Sequence, residues 1–453
     1  MKDVVSALKK AWSFVRENER FQSVFLNSVI SVLLFLVFLQ CGIYLNGSIK
    51  TDTEEAIPFD MRVLSASAQD AVYSLDPTLL YPAEIAIASP NGAYAAVNSA
   101  AVIGDLYVEI APVLAAAMLN EPTEGTDALW SQTVSAADVI RIRYRAALPY
   151  QIIHAFAAAE VGEDARVRRS EKLSVRELCL TVSEGTACVT VRGESGVYTF
   201  FADTELEMSE FQLYASMYPD VFYPCVLSET CVITEKVSSR DIAVQGGICD
   251  EIMGNETHFD QWIRRFRFNP DKLNYHVEAD GTAVYVESHG VLTCTPDQIT
   301  YTAAEDGGVR VSEFCSVSGE VDVYTYLRAA SGWISEIAAM DRRYTGGDAS
   351  LCLVSVVSDG ASLTLHFSLC AENLPIYVNG NDTAFSVTFT GENLTGMVYR
   401  PVAVRRQLTR SAAFLESWSM RLFGTEHVEL VFLADTNEPL SFAQWIAYGE
   451  VAQ

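Results

Sequence analysis

Residues 178–191 read LCLTVSEGTACVTV, and their reading decides the fold: two runs rich in Leu, Val and Thr flank Glu184-Gly185. β-Branched residues suit a pleated, half-buried surface, and a pair ending in Gly supplies the positive-φ backbone that a tight hairpin needs. The same arrangement recurs in YHVEADGTAVYVES (275–288) and LVSVVSDGASLTLHF (353–367). Further turn dipeptides stand at Asn91-Gly92, Asp306-Gly307 and Asn379-Gly380. Antiparallel sheet built from hairpins is therefore the expected main element.

Outward from these hairpins, helices are fewer. Pro149 opens PYQIIHAFAAAE (149–160), and a proline at a first helical position loses no hydrogen bond. Within 322–341, Tyr326, Ala330, Trp333, Ile337 and Met340 follow helical spacing and make one apolar stripe, read as core. Phe414, Trp418 and Leu422 make a shorter one. Hairpins joined to a few helices, without strand–helix–strand alternation, predict an α+β fold rather than α/β. The charged stretch EVGEDARVRRSEK (160–172) and Asn269-Pro270 interrupt the apolar pattern. They predict an N-terminal α+β domain over 61–160, a middle domain over 173–268 and a C-terminal α+β domain over 269–453, preceded by a polar stalk over 46–60.

The chain has 453 residues, enough for two or three domains, and half of them are apolar. With 31 basic and 58 acidic residues its net charge is -27, which argues against a nucleic-acid partner, since phosphate binding needs a basic face. Residues 21–45, FQSVFLNSVISVLLFLVFLQCGIYL, carry no charge, and about 20 such residues cross a ~30 Å hydrocarbon core. A single transmembrane helix is expected there. It reads as uncleaved, because a long segment (1–20) precedes it and no small-x-small cleavage site follows Leu45. Lys2, Lys9, Lys10, Arg16 and Arg20 come before it and Lys50, Asp52, Glu54 and Glu55 after it, which predicts a cytoplasmic tail (1–20) and an extracytoplasmic remainder. Beyond it the longest apolar run is Ile110 to Leu119, ten residues containing Pro112. Within the span, Ser23, Asn27 and Ser31 recur every four residues on one face. They are the candidate partner-binding residues, able to hydrogen-bond to a neighbouring helix; headgroup-level hydration is the alternative for the same side chains.

A search for chemistry finds no catalytic constellation. The closest approach to G-x-S-x-G, Gly193 to Gly196, lacks the spacing, and Ser6 to Lys9 falls in the cytoplasmic tail. No P-loop, dinucleotide-binding glycine pattern, H-E-x-x-H or EF-hand loop is present. The six histidines are scattered singly, so no catalytic, metal-ligating or cofactor-binding residues are expected and no cofactor is called for. Nine cysteines follow the span, an odd number without C-x-x-C knuckles, and most are expected to be buried small hydrophobes. Cys352 and Cys370 flank one hairpin, and Cys179 and Cys188 another, without facing each other directly. Arg141, Arg143 and Arg145 alternate onto one strand face; a solvated face paired with local Glu and Asp is the simplest account, an acidic partner or a carboxylated ligand the other. RVRR (166–169) is a second basic cluster.

Three stretches carry a resemblance: VIRIRY (139–144) leading into ALPY (147–150), FRFNP (266–270), and Asp280-Gly281-Thr282 followed by VYVE (284–287). Together with one anchor and a large outer α+β region, they resemble the YycH/YycI family of membrane-anchored regulators in Gram-positive bacteria. The resemblance implies a non-enzymatic part in a two-component regulatory system. It implies association, through the transmembrane helix and the outer domains, with a sensor histidine kinase and a paralogous regulator. It implies that Ser23, Asn27 and Ser31 meet the kinase helices, because a conformational bias must cross the bilayer through packed helices. The expected location is the cell membrane, single-pass, with the C-terminal domains extracytoplasmic. Two other readings stand beside it: a cell-envelope enzyme such as a carboxylate-dependent glycan hydrolase, and an envelope assembly or structural protein docking through an apolar patch.

Overall fold

The computed structural model describes residues 77–447 apart from 162–172, 184–185, 194–195, 205, 228–230, 247–259, 261–262, 265, 270–273, 306, 316, 318–320, 322, 341–348, 414–427 and 437–439. The tail, the 21–45 span with Ser23, Asn27 and Ser31, the stalk, RVRR and the Phe414, Trp418, Leu422 stripe all lie outside the described residues. What is described falls within one unit, Ala66–Gln453.

The fold is α+β and mostly antiparallel, as the hairpin pattern predicts. Its strands are β1 (Glu84–Ser89), β2 (Gly92–Ala96), β3 (Thr123–Glu124), β4 (Ile140–Pro149), β5 (Ser174–Ser183), β6 (Thr186–Gly193), β7 (Gly196–Ala202), β8 (Phe222–Leu227), β9 (Cys231–Ile233), β10 (Val237–Gln245), β11 (Asn274–Val277), β12 (Ala283–Glu287), β13 (Gly290–Cys294), β14 (Ile299–Ala303), β15 (Val309–Arg310), β16 (Ser350–Ser358), β17 (Ser362–Ala371), β18 (Leu374–Val378), β19 (Phe385–Thr390), β20 (Asn393–Tyr399), β21 (Ala403–Ala413), β22 (Val428–Ala434) and β23 (Ala443–Ala447). The first nine make one sheet in the order β3-β7-β6-β5-β4-β1-β2-β8-β9. Strands on both sides of the 160–172 connection share this sheet, because β4 pairs with β5. A second sheet of twelve strands holds β11–β20, β22 and β23, antiparallel except where β18 runs parallel to β22. Between them in sequence, β10 and β21 form a separate two-stranded ribbon.

Among the described residues five α-helices accompany the strands: α1 (Ala100–Met118), α2 (Asp127–Val134), α3 (Tyr150–Glu160), α4 (Met208–Met217) and α5 (Val323–Met340). One face of the first sheet, with Ile85, Ile142, Leu178 and Val189, is buried with α1 and α3, whose Tyr107 and Phe156 rings stack at 5.0 Å. Trp130 and Val134 of α2 pack on the other face against Val139, Cys179 and Val197. In the second sheet Ala330 and Trp333 of the expected stripe of α5 are core and Tyr326 is half-buried, while the Ile337 and Met340 side chains lie outside the described residues; Trp333 meets Phe266 and Phe314 edge-on, and its Nε1 donates to Met397 Sδ at 3.2 Å.

The structure departs from the sequence reading in three places. Ile110 to Leu119 is not an isolated ten-residue run but the second half of α1 with its C-cap, and the helix continues through the exposed Pro112 without that residue's i→i−4 hydrogen bond. At nineteen residues α1 is long and apolar enough to span a membrane by length and composition, yet 67% of it is buried inside the fold, which marks it as a core helix. Second, Asp306-Gly307 and Asn379-Gly380 do not join paired strands: β14 and β15 lie end to end along one edge of β20, and β18 and β19 along one edge of β17, with Asn379-Gly380 closing only a tight turn in which Val378 bridges Asn381. Third, Cys352 and Cys370 form a disulfide. Cys352 lies opposite Ser368 and Cys370 opposite Ser350, so the bond runs diagonally across the β16–β17 ladder, which spacing about the turn had argued against. The free cysteines among the described residues follow expectation: Cys179, Cys188, Cys225, Cys294 and Cys315 are buried, and burial pushes the Cys179 and Cys294 thiols up to about 12.

Candidate functional site

The arginines singled out by alternation are structural. Arg141, Arg143 and Arg145 do share one face of β4, but that face is buried rather than solvated: Arg141 is 1% exposed. Glu177 on β5 and Glu84 on β1 flank them, giving Arg141–Glu177 at 2.7 Å and Arg143–Glu84 at 3.4 Å. Burial opposes the charge on Arg141, but the Glu177 and Glu84 carboxylates outweigh it and hold the guanidinium above its usual value. Arg145 turns toward the other sheet, donating to Tyr81 O and to Asn373 O.

Asn373 marks the junction of the two sheets. Glu372 and Asn373 form the two-residue turn between β17 and β18, both with positive φ (49° and 63°), the geometry of a type I′ hairpin. Asn adopts this region readily and Glu does not, so strain is held at Glu372. The buried Asn373 Nδ2 donates to the carbonyls of Pro82, Ala83 and Val97 on the first sheet's side. Glu372 accepts from the Arg240 backbone N–H at 3.0 Å on β10. One turn thus ties both sheets and the ribbon together.

Beside this turn lies a cavity of about 400 Å³, lined by Asn98, the start of α1, Asp220, Cys370, Glu372, Arg406 and Arg410. Ser99 caps α1, its Oγ accepting from Val102 N–H at 3.4 Å. The first N–H groups of a helix, here Ala100 and Ala101, have no acceptor within it. Asn98 is 7% exposed, and its Nδ2 donates to Ser238 O at 2.7 Å. A carbonyl can only accept, so this contact fixes the amide's orientation and leaves Oδ1 as an acceptor, which has no hydrogen-bond partner among the described residues. Arg406 and Arg410 come from β21, whose pairing with β10 skips from Arg240↔Arg410 to Ile242↔Arg406. Gln407, Leu408 and Thr409 bulge out there, and Leu408 is 99% exposed between the exposed Arg405, Arg406 and Arg410.

A second cavity, about 410 Å³, opens among Asn379, Arg400 and Thr436. Its polar groups serve one another: Arg400 Nη1 donates to Thr383 O, Asn379 Nδ2 to Thr436 Oγ1, and Thr436 N–H to Asn379 Oδ1. It reads as structure.

Of the residues chosen from sequence, Ser23, Asn27 and Ser31 fall outside the described part and the arginine stripe is core, whereas VRRQLTR (404–410) was passed over. Its only signal was the density of cations, Arg405, Arg406 and Arg410 within seven residues of an acidic chain. Among the described residues no group of three His, Cys, Asp or Glu is placed to hold a metal ion. No protein-family profile, curated protein or solved structure matches this chain.

Proposed function

We propose that this chain is a membrane-anchored extracytoplasmic regulator of the YycH/YycI kind, held by the 21–45 helix and acting by binding a sensor histidine kinase rather than by catalysis. One observation supports the binding role above others: the ribbon presents Leu408, 99% exposed, between exposed arginines on a chain whose net charge is -27. An apolar side chain fully in water adds nothing to folding, whereas between cations it gives an acidic partner both charge and apolar contact. On this reading Ser23, Asn27 and Ser31 face the kinase helices within the bilayer, and the ribbon is an outer contact.

The test is photo-cross-linking in the membrane. A photoreactive residue at Asn27 or Ser31, with Leu33 as control, and another at Leu408 are expected to capture one and the same sensor histidine kinase, identified by mass spectrometry. Capture of lipid alone at Asn27 and Ser31 refutes the helix contact. Capture of the kinase at neither region refutes the regulator.

A further inference from the structure

Cys225 and Cys231 stand together at one edge of the first sheet. β8 and β9 form its last hairpin, in which Cys225 lies opposite Ile233 and Cys231 opposite Leu227. Side chains two residues apart on a strand share a face, so both thiols lie on the same side of the sheet, on a diagonal of the ladder. They are hydrogen-bonded to each other, and this contact, with burial after it, raises the Cys231 thiol well above its usual value. Register alone does not bring the contact about. Cys179 and Cys188 stand on the same diagonal of the β5–β6 ladder, yet the Cys188 sulfur is turned to Thr190 Oγ1 at 3.9 Å. Nor does a diagonal bar a bond, since Cys352 and Cys370 are joined across one over a Cα separation of 6.3 Å. Of the two thiols at the edge, Cys231 is half-buried and Cys225 is 8% exposed, so a reagent from solvent meets Cys231 first.

We propose that Cys225 and Cys231 are a second disulfide site, closed by thiol–disulfide exchange with a disulfide oxidant, which staples the edge strand β9 to its sheet. Cys231 gives up its proton and its sulfur attacks one sulfur of the oxidant; the oxidant's S–S bond breaks and its other half leaves as a thiol. Cys225 Sγ, already in contact, gives up its proton and displaces the half held on Cys231 as a second thiol. Two protein thiols are oxidised, one oxidant disulfide is reduced to two thiols, and those thiols carry away both protons. The bond encloses residues 226–230 and holds a strand of three residues whose ladder, among the described residues, is to β8 alone. An outer strand fixed in this way cannot peel off to leave β8 as a bare edge for a foreign strand. Closing the bond requires no kinase partner.

Peptide mass spectrometry of the full chain in detergent tests this. Cys225 and Cys231 lie together, with no other cysteine, on the tryptic peptide 193–236, and Glu229 offers a cut between them. After reduction without denaturant and overnight exposure to oxidised glutathione, this peptide is expected to be lighter by two hydrogens and closed to alkylation. Cleavage at Glu229 should leave its two halves joined until a reductant is added. In Cys225→Ser no neighbouring thiol remains to displace the oxidant, so Cys231 should end as a mixed disulfide with glutathione. Both thiols of the parent chain still open to alkylation overturns the proposal. So does glutathione retained on either of them, or a bond from either to a cysteine outside 193–236. These readings come from the parent chain and hold whether or not the serine variant folds. Cys231 left unmodified in a folded Cys225→Ser chain overturns the assigned order of attack.

Discussion

Replacing Asn373 asks how much the junction contributes to the fold. Its Nδ2 carries two hydrogens and lies 3.1 Å from Val97 O, 3.2 Å from Pro82 O and 3.3 Å from Ala83 O. Each hydrogen bond formed inside the protein contributes about 1 kcal/mol net, so truncation to alanine removes roughly 2 kcal/mol and leaves buried carbonyls less well served. Alanine at φ 63° adds about 1 kcal/mol of backbone strain. Asn373→Ala should therefore cost about 3 kcal/mol. Asn373→Gly, which accepts positive φ, should cost about 2 kcal/mol. Asn373→Asp should cost at least as much as alanine, since carboxylate oxygens would then face three carbonyl oxygens. Urea unfolding of the full chain in detergent, followed by tryptophan fluorescence, reads these differences. Ala and Gly variants both within ~0.5 kcal/mol of the parent would refute the view that this turn latches the two sheets.

Three further changes probe other links of the argument. Glu177→Ala strips Arg141, 1% exposed, of a carboxylate at 2.7 Å; the loss should be about 2–3 kcal/mol in the same urea assay, below the ~3–5 of a fully enclosed pair because Glu177 keeps 22% of its side chain in solvent. Gly332→Ala improves intrinsic helix preference by about 1 kcal/mol, yet its Cβ would stand 2.7 Å from Phe314 O, so net destabilisation is expected and a gain in melting temperature would contradict the packing of α5. His366 sits below its usual value of about 6.5, chiefly through burial and with Arg400 acting in the same direction against Asp382. The unfolded chain then takes up a proton near pH 6.5 that the folded chain refuses, so this contribution is whole above that pH and is lost as pH falls through 6.5 toward the folded value. His366→Gln should flatten the rise of stability between about pH 5 and 7, and an unchanged slope would show that His366 titrates alike in both states.

The sheets were legible because their signals are local. Glu184-Gly185, Asp280-Gly281 and Asp359-Gly360 each sit between strands that pair with one another, and a positive-φ requirement is written in two adjacent residues. The stripe of α5 was legible for the same reason. The Cys352–Cys370 bond was not, because a diagonal contact depends on a register shift between Leu353 and Ser355 that no turn dipeptide encodes. The burial of Arg141 escaped too, since alternation tells which side chains share a face but not what covers it. The cavity was least accessible of all. Asn98, Asp220, Glu372 and Arg406 come from four distant parts of the chain, and the turn that gathers them, Glu372-Asn373, lacks the glycine that made the other turns visible.

The pairing of β10 with β21 also sets a timetable for synthesis. Arg410 meets Ser238 across a sequence separation of 172 residues. At about 5–20 residues per second, β10 waits roughly 10–30 s for its only ladder partner in the ribbon to be made. For that interval it is a bare edge, open to adopting a foreign strand, on a chain whose first sheet is already complete in sequence. A nascent chain stopped short of Ala403 would own every strand of the first sheet and none of the arginines of the cleft. Newly made protein therefore lacks the ribbon until residues 403–413 emerge, long after the strands of the first sheet have been made.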